Sequence, residues 1–388
     1  MDQKPAKVVH FAYYFLPLTQ NWIYNQVTGL DKDTTIFYAY FRENKENFPI
    51  SNLRCLREDT GRFSLFFNRA WSAIFRWYPQ VLLWFRKDNP DLIHAHLGTY
   101  GCYILPYARL LNIPLVTSFY GADAYMLSQQ VRWQKKYKKL FKQGRLFIAE
   151  GPAMRKKLID IGCPPKKIVI HHIGIKLENY KFHIRKPDEE VRLLVCGRFM
   201  EKKGIPYAIE ALSRLKLKSG PNVRLTIVGD SDEKGTLTDE KRKILDSIKK
   251  HNLADMVTIT GYVSHDELLK ITHDHHIFLS PSVHASNGDA EGGFPVILTE
   301  ALATGMPIVA FDHCDIPQIV QDGKTGFIVP EKDVDALADK LSFLIEHPEV
   351  WSEMGQSGRK LVEEEYDITK LNKELSQIYS DLRDEKYY

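Results

Sequence analysis

The chain has 388 residues, a net charge of +4, and is 44% hydrophobic and 26% charged. That is the make-up of a soluble globular protein long enough for two cores, and the charge is too small to call for nucleic acid as a partner. The five cysteines, Cys55, Cys102, Cys163, Cys196 and Cys314, form no CxxC and no paired spacing, which argues against a disulfide framework or a zinc site and for reduced thiols in a cytosolic setting. No signal-peptide pattern opens the chain, and no run of about 18 apolar residues offers a membrane span. The expected location is cytoplasmic, with the cytoplasmic face of a membrane as its outer limit.

From Lys7 onward, short β-branched or aromatic runs alternate with longer helical stretches. Val8–Tyr14, Thr34–Phe41, Leu92–His96, Leu115–Phe119, Leu146–Glu150 and Ile168–His172 read as buried strands. A second series follows Asp188: Arg192–Cys196, Arg224–Gly229, Val257–Thr260, Ile277–Ser280, Pro307–Phe311 and Gly326–Val329. Strands separated by helices predict an α/β protein with parallel sheets covered on both faces. The polar, strand-poor stretch 174–190 reads as a linker, which divides the chain into Rossmann-like domains over residues 1–175 and 176–366. Such a pair is expected to hold its ligand at the carboxyl ends of the strands, in a central cleft that the two domains face. The tail, 367–388, places Ile368, Leu371, Leu375, Ile378 and Leu382 at helical spacing. Its apolar stripe needs a partner surface, expected on the N-terminal domain.

Two stretches of the second half carry chemistry. Ser280–Thr304 crosses from a strand through Glu291, Gly292 and Gly293 into a helix that carries Glu300. Unpaired N–H groups and the helix dipole make that helix start an anion site, while flanking carboxylates suit the hydroxyls of a sugar or ribose. The turn Gly197–Gly204 lacks the GxGxxG of a dinucleotide fold and supplies Arg198 and Lys203 instead. A guanidinium and an ammonium at a strand end would neutralise a departing diphosphate.

With these residues in view, the second half resembles the donor domain of retaining glycosyltransferases of the GT-B fold, most closely glycosyltransferase family 4. The matching pieces are GRFMEKKG (197–204), RLTIVGD (224–230), VTITGYVSHDELL (257–269), IFLSPS (277–282), EGGFPVILTEALATGMPIVAF (291–311) and IPQIVQDGKTGFIVP (316–330). The resemblance implies a metal-independent hexosyltransferase of the exopolysaccharide or lipopolysaccharide type, with a nucleotide-sugar donor as substrate and no cofactor. UDP-sugar is favoured over GDP-sugar. Arg198 and Lys203 would hold the diphosphate, and Glu300 the ribose hydroxyls. Glu291 with Gly292 and Gly293 would meet the donor sugar, Phe294, Pro295 and Val296 would open the helix beside it, and Val263 would meet the base through its backbone. One residue more separates Glu291 from Glu300 than the family usually has, which weakens the assignment of Glu291 relative to Glu300.

The first half resembles the acceptor domain through DLIHAHLG (91–98) and VTSFYGAD (116–123). Where the family often has a histidine before the glycine of the second motif, this chain has Tyr120, a poor base at neutral pH. His96, or less readily His94, could substitute. A front-face mechanism, which the resemblance implies, needs no protein base because the leaving phosphate takes the acceptor's proton. FLPLTQNWIYNQVTGL (16–31) resembles the first strand-to-helix loop of these enzymes, where Asn21 and Trp22 would reach substrate or else serve as helix-start chemistry.

Two cationic, aromatic-rich stretches, Arg62–Lys87 and Val131–Arg145, fit either sheet-covering helices or contact with an anionic membrane surface. The expected acceptor is a glycan or lipid-linked hydroxyl. Two alternatives remain at this level: a sugar-nucleotide epimerase of the same architecture, and a non-catalytic sugar-nucleotide or glycan-binding protein.

Overall fold

A computed structural model describes residues 5–75, 77–217, 222–232 and 234–384. The chain forms two compact units, Met1–Gly174 with Ile368–Tyr388, and Ile175–Asp367. The last four residues of the tail, 385–388, and Arg76 of the first cationic stretch lie outside the described residues.

The first unit is built on seven strands: β1 (Val8–Phe15), β2 (Thr35–Arg42), β3 (Leu53–Cys55), β4 (Leu92–His96), β5 (Leu115–Phe119), β6 (Leu146–Ala149) and β7 (Ile168–Ile170). They pair in parallel in the order β3-β2-β1-β4-β5-β6-β7. All five residues of β4 and of β5 are buried, the pattern of strands with helices on both faces. β3 was not expected. It is a three-residue edge strand whose central Arg54 reaches the Asp88 carboxylate, so it carries no apolar run to read.

One face of this sheet is covered from the far end of the chain. Helix Ile368–Arg383 packs Leu375, Ile378, Tyr379 and Leu382 against Val8, Leu92, Val116 and Ile148. Beneath it lie three fully buried histidines. His10 pairs with His94 across β1 and β4, and His96 follows two residues on, so all three share one face. His94 bonds the Tyr379 hydroxyl through Nδ1 (2.6 Å) and the Ser118 hydroxyl through Nε2 (2.7 Å). His10 Nδ1 lies 2.9 Å from His96 Nε2.

The second unit has six parallel strands, β8 (Glu190–Cys196), β9 (Asn222–Val228), β10 (Val257–Gly261), β11 (Ile277–Ser280), β12 (Ile308–Phe311) and β13 (Gly326–Val329), in the order β10-β9-β8-β11-β12-β13. The chain winds outward from β8 to β10 and returns to β11, so the order reverses between β8 and β11. That is the place where doubly wound sheets hold ligands. From Ile175 on, the stretch read as a linker is built into this unit. Ile175 bridges Asp367, and the buried Arg185 donates to the carbonyls of His275 (2.7 Å), Thr304 (2.7 Å) and Thr272 (3.0 Å). One guanidinium thus satisfies the open C-terminal carbonyls of two helices.

Burial holds the three histidines neutral: His10 is lowered to about 3, and His94 and His96 lie well below their ordinary value. Unfolded, each would take up a proton near pH ~6.5. The unfolded chain therefore binds more protons in between, and stability present above about pH 6.5 is lost as the pH falls toward 3. The melting temperature is expected to drop steeply from pH ~7.5 to ~5 and to drop less in His94→Gln. An equal pH slope in both proteins would contradict this.

Candidate functional site

The sheet reversal of the second unit is lined by two turns, 197–204 after β8 and 281–295 after β11. Their union depends on a glycine. Gly204 has φ +61, and a Cβ there would stand 1.7 Å from the Pro281 carbonyl oxygen, so no other residue lets the turns approach so closely. The backbone N–H of Val283 donates to the Lys202 carbonyl (2.8 Å), and the Glu201 carboxylate accepts from the N–H (3.0 Å) and hydroxyl (2.6 Å) of Ser286.

Two ammonium groups cross between the turns. Lys202 pairs with Asp289 (3.2 Å) and donates to the Ala290 carbonyl (3.1 Å). Lys203 pairs with both oxygens of Glu291, at 2.9 and 3.1 Å, and the Ser282 hydroxyl donates to the same carboxylate (3.0 Å). Burial alone would raise the Glu291 carboxyl, but the Lys203 and Lys202 charges overcome it and hold the group at about 2. Arg198, by contrast, is exposed and has no hydrogen-bond or ion-pair partner among the described residues. Its guanidinium is available to a ligand.

Glu300, on helix Val296–Ala303, is buried and accepts a 2.8 Å hydrogen bond from the Tyr180 hydroxyl. Burial raises its carboxyl, opposed by His265 and by that bond. Cys196, the last residue of β8, feels both Glu300 and Lys203, which puts the acidic helix and the basic turn at one strand end. Val263, Val296 and Cys196 pack on the cluster that holds Tyr180, Phe294 and Leu298. Gly292 has φ +89, which lets the acidic loop fold back toward that cluster. The start of the helix, after Pro295, has no side-chain cap, so its first N–H groups face the site.

Sequence reasoning missed several of these residues. Tyr180 falls in the supposed linker, and only an aromatic side chain within a polar stretch could have signalled it. Lys202 reads as a solvated neighbour of Lys203 yet is buried. His313, whose Nε2 accepts from the Glu291 N–H at 3.2 Å, has no motif around it.

In the first unit the strand ends bring together the residues singled out there. The Tyr120 hydroxyl lies 2.9 Å from His96 Nδ1, and its ring meets Trp22 edge-on at 5.9 Å. Asp123 fixes this turn, accepting from the N–H groups of Gly98 (2.7 Å), Tyr120 (3.1 Å) and Gly121 (3.1 Å). Burial pushes the Tyr120 phenol up and His96 down, so both are neutral and neither is poised as a base at neutral pH. His94 lies behind this pair, bonded to Ser118 and Tyr379.

Removing one partner of the Lys203–Glu291 pair leaves a buried charge, which typically costs about 3–5 kcal/mol. Lys203→Met is expected to lose stability of that order at neutral pH. Because the Glu291 carboxyl is depressed to about 2, the pair's contribution is complete above the unfolded value of about 4.3 and vanishes as the pH falls through 2. Denaturant unfolding of both proteins checks this; equal stability at neutral pH would contradict it.

Comparison with known proteins matches both units. The profile "Glycosyltransferase Family 4" covers residues 23–179, and "Glycosyl transferases group 1" covers 177–361. The amylovoran biosynthesis glycosyltransferase AmsK of Erwinia amylovora is 34% identical over 251 residues, 64% of this chain and 60% of its own length. WcaL of Salmonella typhimurium, named as a colanic acid biosynthesis glycosyltransferase, is 29% identical over 293 residues, covering 74% and 70%. Among solved structures, Anabaena HepE in complex with UDP superposes with a TM-score of 0.76 at 16% identity, over 97% of this chain and 100% of that one. Sucrose-phosphate synthase from Thermosynechococcus elongatus gives 0.76 at 19% identity, over 97% and 98%. With two doubly wound parallel sheets and motifs in family order, the chain belongs to the group 1 glycosyltransferases of family 4 type, enzymes of the GT-B fold.

Proposed function

We propose that the protein is a retaining hexosyltransferase. It moves a sugar from a nucleotide-diphosphate donor, UDP-sugar in preference to GDP-sugar, to a hydroxyl of a glycan or lipid-linked acceptor. The observation that carries this reading is the presence of a free guanidinium, Arg198, and a half-buried ammonium, Lys203, in the turn after β8, beside the carboxylates Glu291 and Glu300. In this reading the diphosphate lies on Arg198, Lys203 and the uncapped helix start at Val296, which supplies anion binding without a metal ion. Glu300, oriented by Tyr180, accepts from the ribose hydroxyls. Glu291, with Gly292 and Gly293, meets the donor sugar, and Val263 borders the base.

In this reading the reaction proceeds with retention. The bond from the anomeric carbon to the phosphate oxygen breaks, and the acceptor oxygen bonds the same face of that carbon. The acceptor's proton passes to the leaving phosphate. Arg198 and Lys203 stabilise the growing negative charge on the diphosphate as it departs. His96 is wholly buried, with one ring nitrogen on the Tyr120 hydroxyl and the other on His10, which suits a mechanism that draws its base from the donor.

An apolar helix face supports contact with a membrane. In helix Arg62–Phe75, Phe63 is 95% exposed, Phe66 75%, Phe67 54% and Ile74 74%. At ~100° per residue these positions fall on one stripe, opposite Leu65 and the buried Asn68 that seat the helix. The sequence from Arg62 to Lys87 has basic charges and no acidic one, which suits an anionic lipid surface and opposes pairing with a second copy. The second cationic stretch differs: Trp133, Tyr137, Leu140 and Phe141 are buried in the core, and what faces outward is polar or basic apart from Val131. No described helix is long and apolar enough to cross a membrane.

Lys203→Ala and Arg198→Ala are each expected to slow sugar transfer by about 100-fold or more, the usual loss when one donor to a developing anion is removed. Tyr180→Phe should weaken donor binding with a smaller effect on turnover. Unchanged transfer in Lys203→Ala would remove the assignment. In a separate test, the protein should sediment with anionic liposomes at low salt. Phe63→Ser with Phe66→Ser should weaken that binding at least ~10-fold, given about 1.5–3 kcal/mol for each buried phenylalanine. A native protein left wholly in the supernatant would rule out the membrane contact.

A further inference from the structure

Beside the acidic loop, outside the residues assigned to substrate, stands a cluster that no motif announces. His284, His313 and Cys314 each offer one ligand atom, and these atoms lie within 4.8 Å of one another. Glu331 joins the two histidines. One of its oxygens accepts from His284 Nδ1 (2.8 Å) and from His313 Nδ1 (3.0 Å), while the other accepts from the His284 backbone N–H (2.8 Å).

This network fixes the imidazole tautomers. Glu331 meets both imidazoles and the His284 backbone N–H, and as a carboxylate it can only accept. Both Nδ1 atoms therefore carry protons, which turns Nε2 into the atom through which each imidazole can ligate. An independent contact agrees for His313, whose Nε2 already accepts from the Glu291 N–H at 3.2 Å. A carboxylate on Nδ1 that fixes Nε2 as the ligating atom is the arrangement in which histidine holds a metal. Cys314 supplies the third group, its Sγ 3.3 Å from His313 Nε2. For zinc, with bonds of about 2.0 Å to nitrogen and 2.3 Å to sulfur, a tetrahedral N···S edge is about 3.5 Å. His313 is wholly buried and Cys314 half-buried, whereas the His284 side chain is 55% exposed. The site thus has a rigid floor and a movable ligand facing solvent.

We propose that His284, His313 and Cys314 bind a thiophilic divalent cation such as Zn2+, with Glu331 orienting both imidazoles and solvent in the fourth position. Binding replaces the Cys314 thiol proton, released to solvent, and takes the His313 Nε2 lone pair from the Glu291 N–H. The acidic loop then loses the acceptor that holds its first residue, and Glu291 is the partner of Lys203. Occupancy is therefore expected to lower donor affinity. This consequence rests on the proposed donor site; the cation site itself does not.

Titration of the full chain with Co2+ tests the site through the thiolate-to-cobalt absorption band. The native protein should develop the band at one equivalent and lose it to added Zn2+. Cys314→Ser should lack the band, and His284→Ala, which changes an exposed side chain, should bind at least tenfold more weakly at an unchanged melting temperature. No band in the native protein, or full cobalt binding by both variants, overturns the proposal. Calorimetric titration with UDP, with and without Zn2+, reads the second part: affinity at least tenfold weaker with metal supports it, and equal affinity overturns the coupling to Glu291. If UDP fails to bind the metal-free protein, the donor assignment is at fault while the cobalt band still reports the cation site.

Discussion

A largely desolvated ammonium–carboxylate pair, Lys203 with Glu291, joins residues 88 positions apart in the chain. Such a pair adds little net stability, because desolvation consumes most of the attraction, yet either partner left alone would be intolerable. Its effect is to set register. The turn after β8 and the loop after β11 must meet in one arrangement, and the other contacts serve that meeting: Gly204 allows close approach, Glu201 holds Ser286, and Lys202 holds Asp289. An ammonium already placed and largely desolvated has little reorganisation left when charge develops beside it, which is the use the proposed diphosphate site would make of Lys203.

The two units solve the problem of buried polar groups in opposite ways. The second unit buries charges and neutralises them in pairs. The first buries histidines and keeps them uncharged, linking His10, His96 and Tyr120 in one hydrogen-bonded row, with His94 held alongside by Ser118 and Tyr379.

Helix Arg62–Phe75 departs from the usual logic of a surface helix, because its outward face is more apolar than the face that seats it. Its composition invited two readings, sheet cover or membrane contact, and the neighbouring helix Pro79–Asp88 resolves the other way, with Val81, Leu82, Trp84 and Phe85 buried. Two adjacent helices of similar composition thus present their aromatics in opposite directions. Periodicity locates a stripe along a helix but says nothing about which neighbour lies across from it.

Much of the architecture was legible in the residues alone. Buried parallel strands must be short apolar runs, so Leu92–His96, Leu115–Phe119, Ile277–Ser280 and Gly326–Val329 could be read to the residue. The glycines and charges of 197–204 and 291–300 marked the loops of the proposed donor site because close backbone approach and anion binding admit few residue types. The sequence could not reveal contacts whose meaning depends on distance in space. Tyr180 became the orienter of Glu300, Arg185 a cap for two helices, and His284, His313, Cys314 and Glu331 one cluster, only when the chain brought them together. Local pattern determines which elements form, since each is governed by neighbours a few residues away. Folding decides which polar groups must satisfy one another, because burial removes water from separate segments at once and leaves each group only the partners that packing supplies.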